Sequence, residues 1–209
     1  MIKILIADDH AIVRKGLVQI LQEEFPLAEI TEVTNGSDAL DVVSKTIWDV
    51  ILLDISMPGR NGIEILKQIR TNGIKAPVLM LSMHSEEQYA IRALKAGASG
   101  FLSKLSATDE LLIAVHKVLS GRKYITASLA EKLVDSIGKS ENELIYETLS
   151  DREMQVLQLI GSGKTVSEIA DEISLSVNTV STYRSRILEK LNLNNNSEII
   201  RYTIDNNLI

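Results

Sequence analysis

The sequence predicts an α/β domain, built as a doubly wound five-stranded parallel sheet, followed by a small all-α domain. Three observations carry this. Over residues 1–120, short apolar runs alternate with longer stretches of helical spacing, the pattern of βαβ units covered on both faces of a sheet. The run Val50–Leu53 is apolar at successive positions, as a strand buried on both sides requires. After residue 149 the spacing is helical throughout.

Taken in order, strands are expected at Lys3–Ala7, Glu29–Thr34, Val50–Leu53, Pro77–Ser82 and Gly100–Leu102. Between and after them, Ala11–Leu21 places Ile12, Leu17, Ile20 and Leu21 on one helical face. Gly62–Arg70 does so with Ile63, Leu66 and Ile69, and Ala107–Leu119 with Leu111, Leu112, Val115 and Leu119. Residues 121–148 carry no strand signal and read as a partly helical linker, with a helix over Ala127–Ile137 and a polar break at Gly138–Asn142. Residues 149–209 form the second domain.

Composition narrows the function. With 45% apolar and 24% charged residues, the chain is an ordinary globular one. It has no cysteine, hence no disulfide framework or thiolate metal site, which fits a reducing cytoplasm. No apolar stretch approaches the ~20 residues of a membrane span, so no membrane partner is expected. The formal charge of −6 counts against a nucleic-acid binder unless basic residues are gathered locally.

Polar residues close four of the expected strands. Asp8 and Asp9 follow the first, Asp54 the third, Ser82 ends the fourth and Lys104 follows the fifth. In an open parallel sheet these positions share the carboxyl edge, where ligands bind. Three clustered carboxylates repel unless a cation joins them, and oxygen donors completed by water suit Mg²⁺. A carboxylate held beside a metal, a lysine and a small hydroxyl is placed to attack phosphorus and form an acyl phosphate. Each strand-end Asp or Ser taken alone would more simply be a helix cap. The five together are not explained that way.

These residues resemble the receiver domain of two-component response regulators. The likeness rests on DDH at Asp8–His10, LLDISMPGRNG around Asp54, LMLS ending in Ser82 and GFLSK ending in Lys104. The resemblance implies a flavodoxin-like strand order 2-1-3-4-5 and Asp54 as phosphoacceptor. It implies Mg²⁺ held by Asp9, Asp54 and the Ser56 carbonyl, with Asp8 acting largely through water. Ser82 and Phe101 take the switch positions, and Lys104 that of the phosphate-contacting lysine. Leu105 stands where receivers often have Pro. A cis bond there would cost ~3 kcal/mol without proline, so a trans peptide is expected. His10 could be a phosphodonor or ligand, but the resemblance gives it no such role and a partly exposed loop or helix-start residue is expected; His84 and His116 receive no role.

In the second domain, Ser150-Asp-Arg-Glu153 is a capping box, and Gly161 and Gly163 end the helix that it starts. Thr165–Ile173 is amphipathic through Val166, Ile169, Ala170 and Ile173. A tight turn at Ser174–Val177 leads into a helix of about 177–191. Two helices joined so closely form a helix-turn-helix, whose second helix enters the DNA major groove. Val180, Ile187, Leu188 and Leu191 face inward, while Asn178, Ser181, Thr182, Ser185 and Arg186 lie opposite, with Arg184 and Lys190 nearby. From Ser150 onward six Lys/Arg stand against eight Asp/Glu, yet Arg184, Arg186 and Lys190 share one helix. The expected contacts are Asn178, Arg184 and Arg186 to bases or phosphates and Lys190 to phosphate.

This part resembles the LuxR-type helix-turn-helix of the NarL/FixJ subfamily through LSDRE, Glu168–Ala170, Thr179–Val180 and Ile187–Leu191. The likeness adds Thr179 to the contact set. Ser181 stands where the family often has a basic residue and Tyr183 where it often has His. Together the resemblances imply a cytoplasmic, phosphorylation-switched transcription regulator served by a sensor histidine kinase and bound to promoter DNA as a homodimer. By the same likeness, the first and fifth receiver helices and the last helix (about Asn196–Asn206) are candidate dimer surfaces. An enzymatic phosphohydrolase is disfavoured because only Ser56, Arg60 and Asn61 follow Asp54 as candidate acids or bases. A phosphorylation-independent regulator is disfavoured by the full pocket.

Overall fold

The structure is a computed structural model that describes residues 1–58, 60–83, 86–104, 107–131, 145–206 and 208–209. The expected helix beyond residue 131, the break at Gly138–Asn142, the Leu105 peptide, the Gly59 turn and His84 lie outside the described residues. The chain divides into two compact units, Met1–Ile137 and Gly138–Ile209.

In the first unit, strands β1 (Lys3–Ala7), β2 (Glu29–Val33), β3 (Val50–Asp54), β4 (Val78–Ser82) and β5 (Gly100–Ser103) pair in the order β2-β1-β3-β4-β5, all parallel. Helices α1 (Ala11–Glu24), α2 (Gly36–Lys45), α3 (Gly62–Thr71), α4 (Glu86–Lys95) and α5 (Ala107–Leu119) alternate with them. The sheet separates two apolar clusters. Leu5, Ile51, Leu53 and Met80 face one that includes Ile63, Leu66 and Ile69. Ile4, Val50, Leu52 and Leu79 face the other with Leu17, Leu21, Leu111 and Val115. Strands β3 and β4 are buried at every position, and each buried Leu or Ile contributes roughly 1.5–3 kcal/mol by leaving water.

One helical face differs from expectation. Ile12 is 89% exposed, and Val13 packs inward with Leu17, Ile20 and Leu21 instead. The helix begins at Ala11, so Ile12 falls in its first turn, off the buried stripe.

The chain after α5 remains part of the first unit. Tyr124 forms a parallel bridge to Gly100 of β5, and its hydroxyl donates to Glu110 Oε2 at 2.7 Å. A Cβ on Gly100 would lie 2.7 Å from the Tyr124 carbonyl oxygen, so only glycine allows this approach. Leu129, within the helical residues 127–131, is buried in the first core cluster. The first eleven residues of the expected linker, 121–131, therefore pack against the α/β unit.

The second unit has a 3₁₀ turn at Ile145–Thr148 and helices α6 (Asp151–Gly161), α7 (Val166–Glu172), α8 (Val177–Leu191) and α9 (Asn196–Asp205). Ser150 closes a capping box with Glu153, and Thr165 closes a second with Glu168. Between α7 and α8, Ser174 takes a left-handed conformation (φ 53°). Ile169, Ala170, Ile173, Val180, Ile187 and Leu191 share the core with Leu157 and Ile160. Gly161 lets α9 come close: a Cβ there would meet Thr203 Oγ1 at 2.5 Å.

Candidate functional site

The carboxyl edge of the sheet assembles the expected set. The loop after β3 turns back sharply, with the Gly62 N–H donating to the Ile55 carbonyl at 2.9 Å. A Cβ at Gly62 would fall 2.1 Å from the Asp54 carbonyl oxygen, so this turn requires glycine. Asn61 caps α3 by accepting from the Ile63 N–H at 2.8 Å. Asp54 is thus held at a strand end between a rigid sheet and a tight loop.

Lys104 reaches the same place from β5. Its backbone N–H donates to the Ser82 carbonyl at 2.8 Å, and its Nζ stands 2.8 Å from both Asp8 Oδ2 and Asp54 Oδ2. All three side chains are at most 1% exposed. The ammonium is the counter-charge of both carboxylates, yet neither Oδ2 receives an aligned hydrogen bond. Asp9 is partly exposed beside them, and the Ser56 N–H donates to Asp54 Oδ1 at 3.2 Å. Ser82 is buried at the end of β4, and Phe101 is buried in the first core cluster.

Burial pushes the Asp54 carboxyl up from 3.8 to about 6. The Lys104 ammonium opposes this, the Asp8 charge adds to it, and the Ser56 N–H again lowers it. The carboxyl is therefore more basic than an ordinary aspartate, yet ionised at neutral pH, as a nucleophile requires.

Two residues join this set that sequence reasoning left aside. Arg14 donates through Nη1 to the Asp8 carbonyl and through Nε to Glu32 Oε2, both at 2.8 Å, fixing the backbone at the pocket floor. His10 stands at the N-cap of α1, with Nδ1 2.7 Å from Asp9 Oδ1 and 3.9 Å from Asp54 Oδ2. One ligand atom from each of Asp8, Asp9, His10 and Asp54 lies within 4.8 Å of the others. The acidic pocket is compatible with a metal ion: its oxygen donors converge, and three of them are buried without an aligned hydrogen bond.

The second candidate surface is α8, capped by Ser176, whose Oγ accepts from the Thr179 N–H at 3.1 Å. Asn178, Ser181, Thr182, Ser185 and Arg186 are exposed and Thr179 partly so. Asn178, Thr179, Thr182, Tyr183 and Arg186 line a shallow groove of about 310 Å³. Two of the expected cations are engaged within the domain. Arg184 Nε donates to Asn196 Oδ1 at the start of α9. Lys190 Nζ donates to Glu153 Oε2 at 2.7 Å and to the Thr148 carbonyl at 3.3 Å. In the DNA-free chain Lys190 is thus paired within the domain, because its position near the end of α8 faces the capping box of α6.

Comparison with known proteins agrees with both halves. Residues 4–116 match the response regulator receiver domain, and residues 147–203 match the bacterial regulatory proteins of the luxR family. The response regulator UvrY of Escherichia coli K12 is 34% identical over all of this chain and 96% of its own. RcsB of Salmonella enterica serovar Typhimurium, solved bound to promoter rprA in the presence of phosphomimetic BeF3-, is 25% identical. It covers 97% of this chain and 98% of its own with a TM-score of 0.63. The response regulator ChrA of a heme-sensing two-component system is 30% identical over 100% of this chain and 98% of its own, with a TM-score of 0.52. No helix among the described residues is long and apolar enough to cross a membrane. With a receiver sheet carrying a buried aspartate–lysine pocket and a LuxR-type helix-turn-helix later in the sequence, the chain belongs to the NarL/FixJ subfamily of two-component response regulators.

Proposed function

We propose that Asp54 is the phosphoacceptor through which a sensor histidine kinase controls the binding of this regulator to promoter DNA in the cytoplasm. The observation that carries this is the placement of Asp54, buried at the end of β3 with Lys104 Nζ at 2.8 Å and Asp8 and Asp9 beside it. An Asp54 carboxylate oxygen attacks phosphorus; the new O–P bond forms as the N–P bond to the donor histidine breaks. Lys104 then exchanges its Asp54 contact for the phosphoryl oxygens, while its bond to the Ser82 carbonyl keeps it at the strand end. Mg²⁺ held by Asp9, Asp54 and the Ser56 carbonyl, with Asp8 acting largely through water, would neutralise charge on the transferring oxygens.

Ser82, at the end of β4, donates its hydroxyl to the phosphoryl group. Phe101, buried behind it on β5, repacks as Ser82 moves, which shifts the α4–β5–α5 surface. On the DNA side, α8 enters the major groove and presents Asn178, Thr179, Ser181, Thr182, Ser185 and Arg186, with Arg184 at the margin. A single small module buries little DNA, so a homodimer on paired half-sites is the binding form. The role is stoichiometric rather than enzymatic: one Asp54 takes one phosphoryl group, and its joining to a DNA-binding domain gives that state an output.

The test is phosphorylation by a small phosphodonor with Mg²⁺, followed by selection of binding sites from random DNA. Wild-type protein takes up one phosphoryl group and enriches paired half-sites. Phosphate uptake by Asp54→Asn equal to wild type sinks the assignment.

A further inference from the structure

Helix capping does not account for His10. It occupies the N-cap of α1, but its side chain makes no capping hydrogen bond. Its backbone N–H instead donates to Asp8 Oδ1 at 2.8 Å, which brings the residue over the acidic pocket. The half-exposed ring turns inward. Its Nδ1 lies 2.7 Å from Asp9 Oδ1, 3.5 Å from Asp8 Oδ1 and 3.9 Å from Asp54 Oδ2, and Lys104 Nζ is 3.5 Å away.

The imidazole nitrogen thus faces the point on which three carboxylates converge. Asp8 Oδ2 and Asp54 Oδ2 are buried there outside any aligned hydrogen bond, with the Lys104 ammonium 2.8 Å from each. An imidazole brings a different kind of donor to an otherwise all-oxygen set. Mg²⁺ gains little from nitrogen, whereas Co²⁺, Ni²⁺ and the later first-row cations bind imidazole well.

We infer that His10 is a nitrogen ligand of the cation in this pocket and tilts its selectivity from Mg²⁺ toward first-row divalent transition cations. This rests on the reading that Asp8, Asp9 and Asp54 hold a divalent cation. A His10 that only hydrogen-bonds Asp9 would set the carboxylate's orientation and affect hard and borderline cations alike. A His10 that ligates affects them unequally.

The experiment is calorimetric titration of the unphosphorylated full-length protein with Mg²⁺, Co²⁺ and Ni²⁺, using wild type, His10→Ala and Asp9→Asn. His10→Ala leaves the fold intact, because the bond to Asp8 comes from its backbone. It weakens Co²⁺ and Ni²⁺ roughly tenfold, while the Mg²⁺ Kd moves less than about twofold. Proton NMR of the Co²⁺ complex gives a second readout: a strongly shifted exchangeable imidazole signal, lost in His10→Ala and kept in His116→Ala. Equal weakening of all three cations, or survival of the shifted signal in His10→Ala, overturns the His10 assignment alone. Mg²⁺ binding that is absent in wild type, or unchanged in Asp9→Asn, overturns both the pocket reading and this inference.

Discussion

The Lys190 ammonium lies 2.7 Å from Glu153 Oε2, tying the last turn of α8 to the first turn of α6. The same carboxylate oxygen accepts the Ser150 N–H at 2.7 Å, so one buried acid serves both the capping box and the helix–helix tie. Burial works to raise the Glu153 carboxyl, but the bonds from Lys190 and Ser150 outweigh it and hold it below its ordinary 4.5.

Lys190→Met should therefore lower the stability of the second unit by about 1–2 kcal/mol, measured by urea denaturation at neutral pH. Because the folded carboxyl is depressed, its stabilisation is present above pH 4.5 and lost as pH falls through the lower folded value. The gap between variant and wild type should narrow in that acidic window. A constant gap would remove Glu153 as the partner that matters.

Arg186 should behave in the opposite way. It is exposed on the α8 face, and no ion-pair partner is seen for it among the described residues. Arg186→Ala should leave stability within about 0.5 kcal/mol and reduce the salt slope of DNA binding by about one. Lys190→Met should leave that slope unchanged. Fluorescence anisotropy across a salt series on a selected site separates the two.

Asp54 should make metal-free stability depend on pH. Its folded carboxyl titrates at about 6 against 3.8 in the unfolded chain. Stability is complete below pH 3.8 and declines as pH rises through about 6. That gap corresponds to roughly 3 kcal/mol. Asp54→Asn should match wild type near pH 3.5 and exceed it by up to that amount at pH 7.5, in buffer containing a chelator. A pH-independent difference would contradict the placement of an ionised carboxylate in a dry pocket.

Two glycines should respond with opposite sign. Gly62→Ala places a Cβ 2.1 Å from the Asp54 carbonyl oxygen and should cost about 3 kcal/mol or more together with phosphate uptake. Gly16 lies within α1 with nothing within 4 Å of its added Cβ. Gly16→Ala should stabilise by roughly 0.5–1 kcal/mol. Thermal unfolding checks both.

The sheet and its acidic edge were legible because both follow from local rules. Unbroken apolar runs mark buried strands, and a strand-end carboxylate falls on the carboxyl edge whatever lies around it. The Ser150–Glu153 capping box was equally local. What sequence reasoning missed depends on partners far along the chain. From sequence, Lys190 reads as a phosphate contact, and its partner Glu153, 37 residues away, is not foreseen. Nor is the bond that Arg184 makes to Asn196 of α9. Tyr124 and Leu129 sit in a stretch that reads as a partly helical linker, and only the bridge to Gly100 and the core contact of Leu129 show where they belong. Arg14 binds a backbone carbonyl, a target no residue pattern marks. His10, next to two aspartates, carried a visible cue, and its ring faces Asp9.

The bridge between Tyr124 and Gly100 also bears on solubility. A parallel sheet ends in two rows of unpaired backbone groups, each a template for another chain. At β5 part of that row is taken by the protein's own chain at Tyr124. At β2 the opposite margin carries Glu29 and Glu32, each held in an ion pair, with Lys3 and Arg14 respectively. One margin is self-sealed and the other fringed with charge, so copies of this regulator crowded together have no easy strand-to-strand route to aggregation.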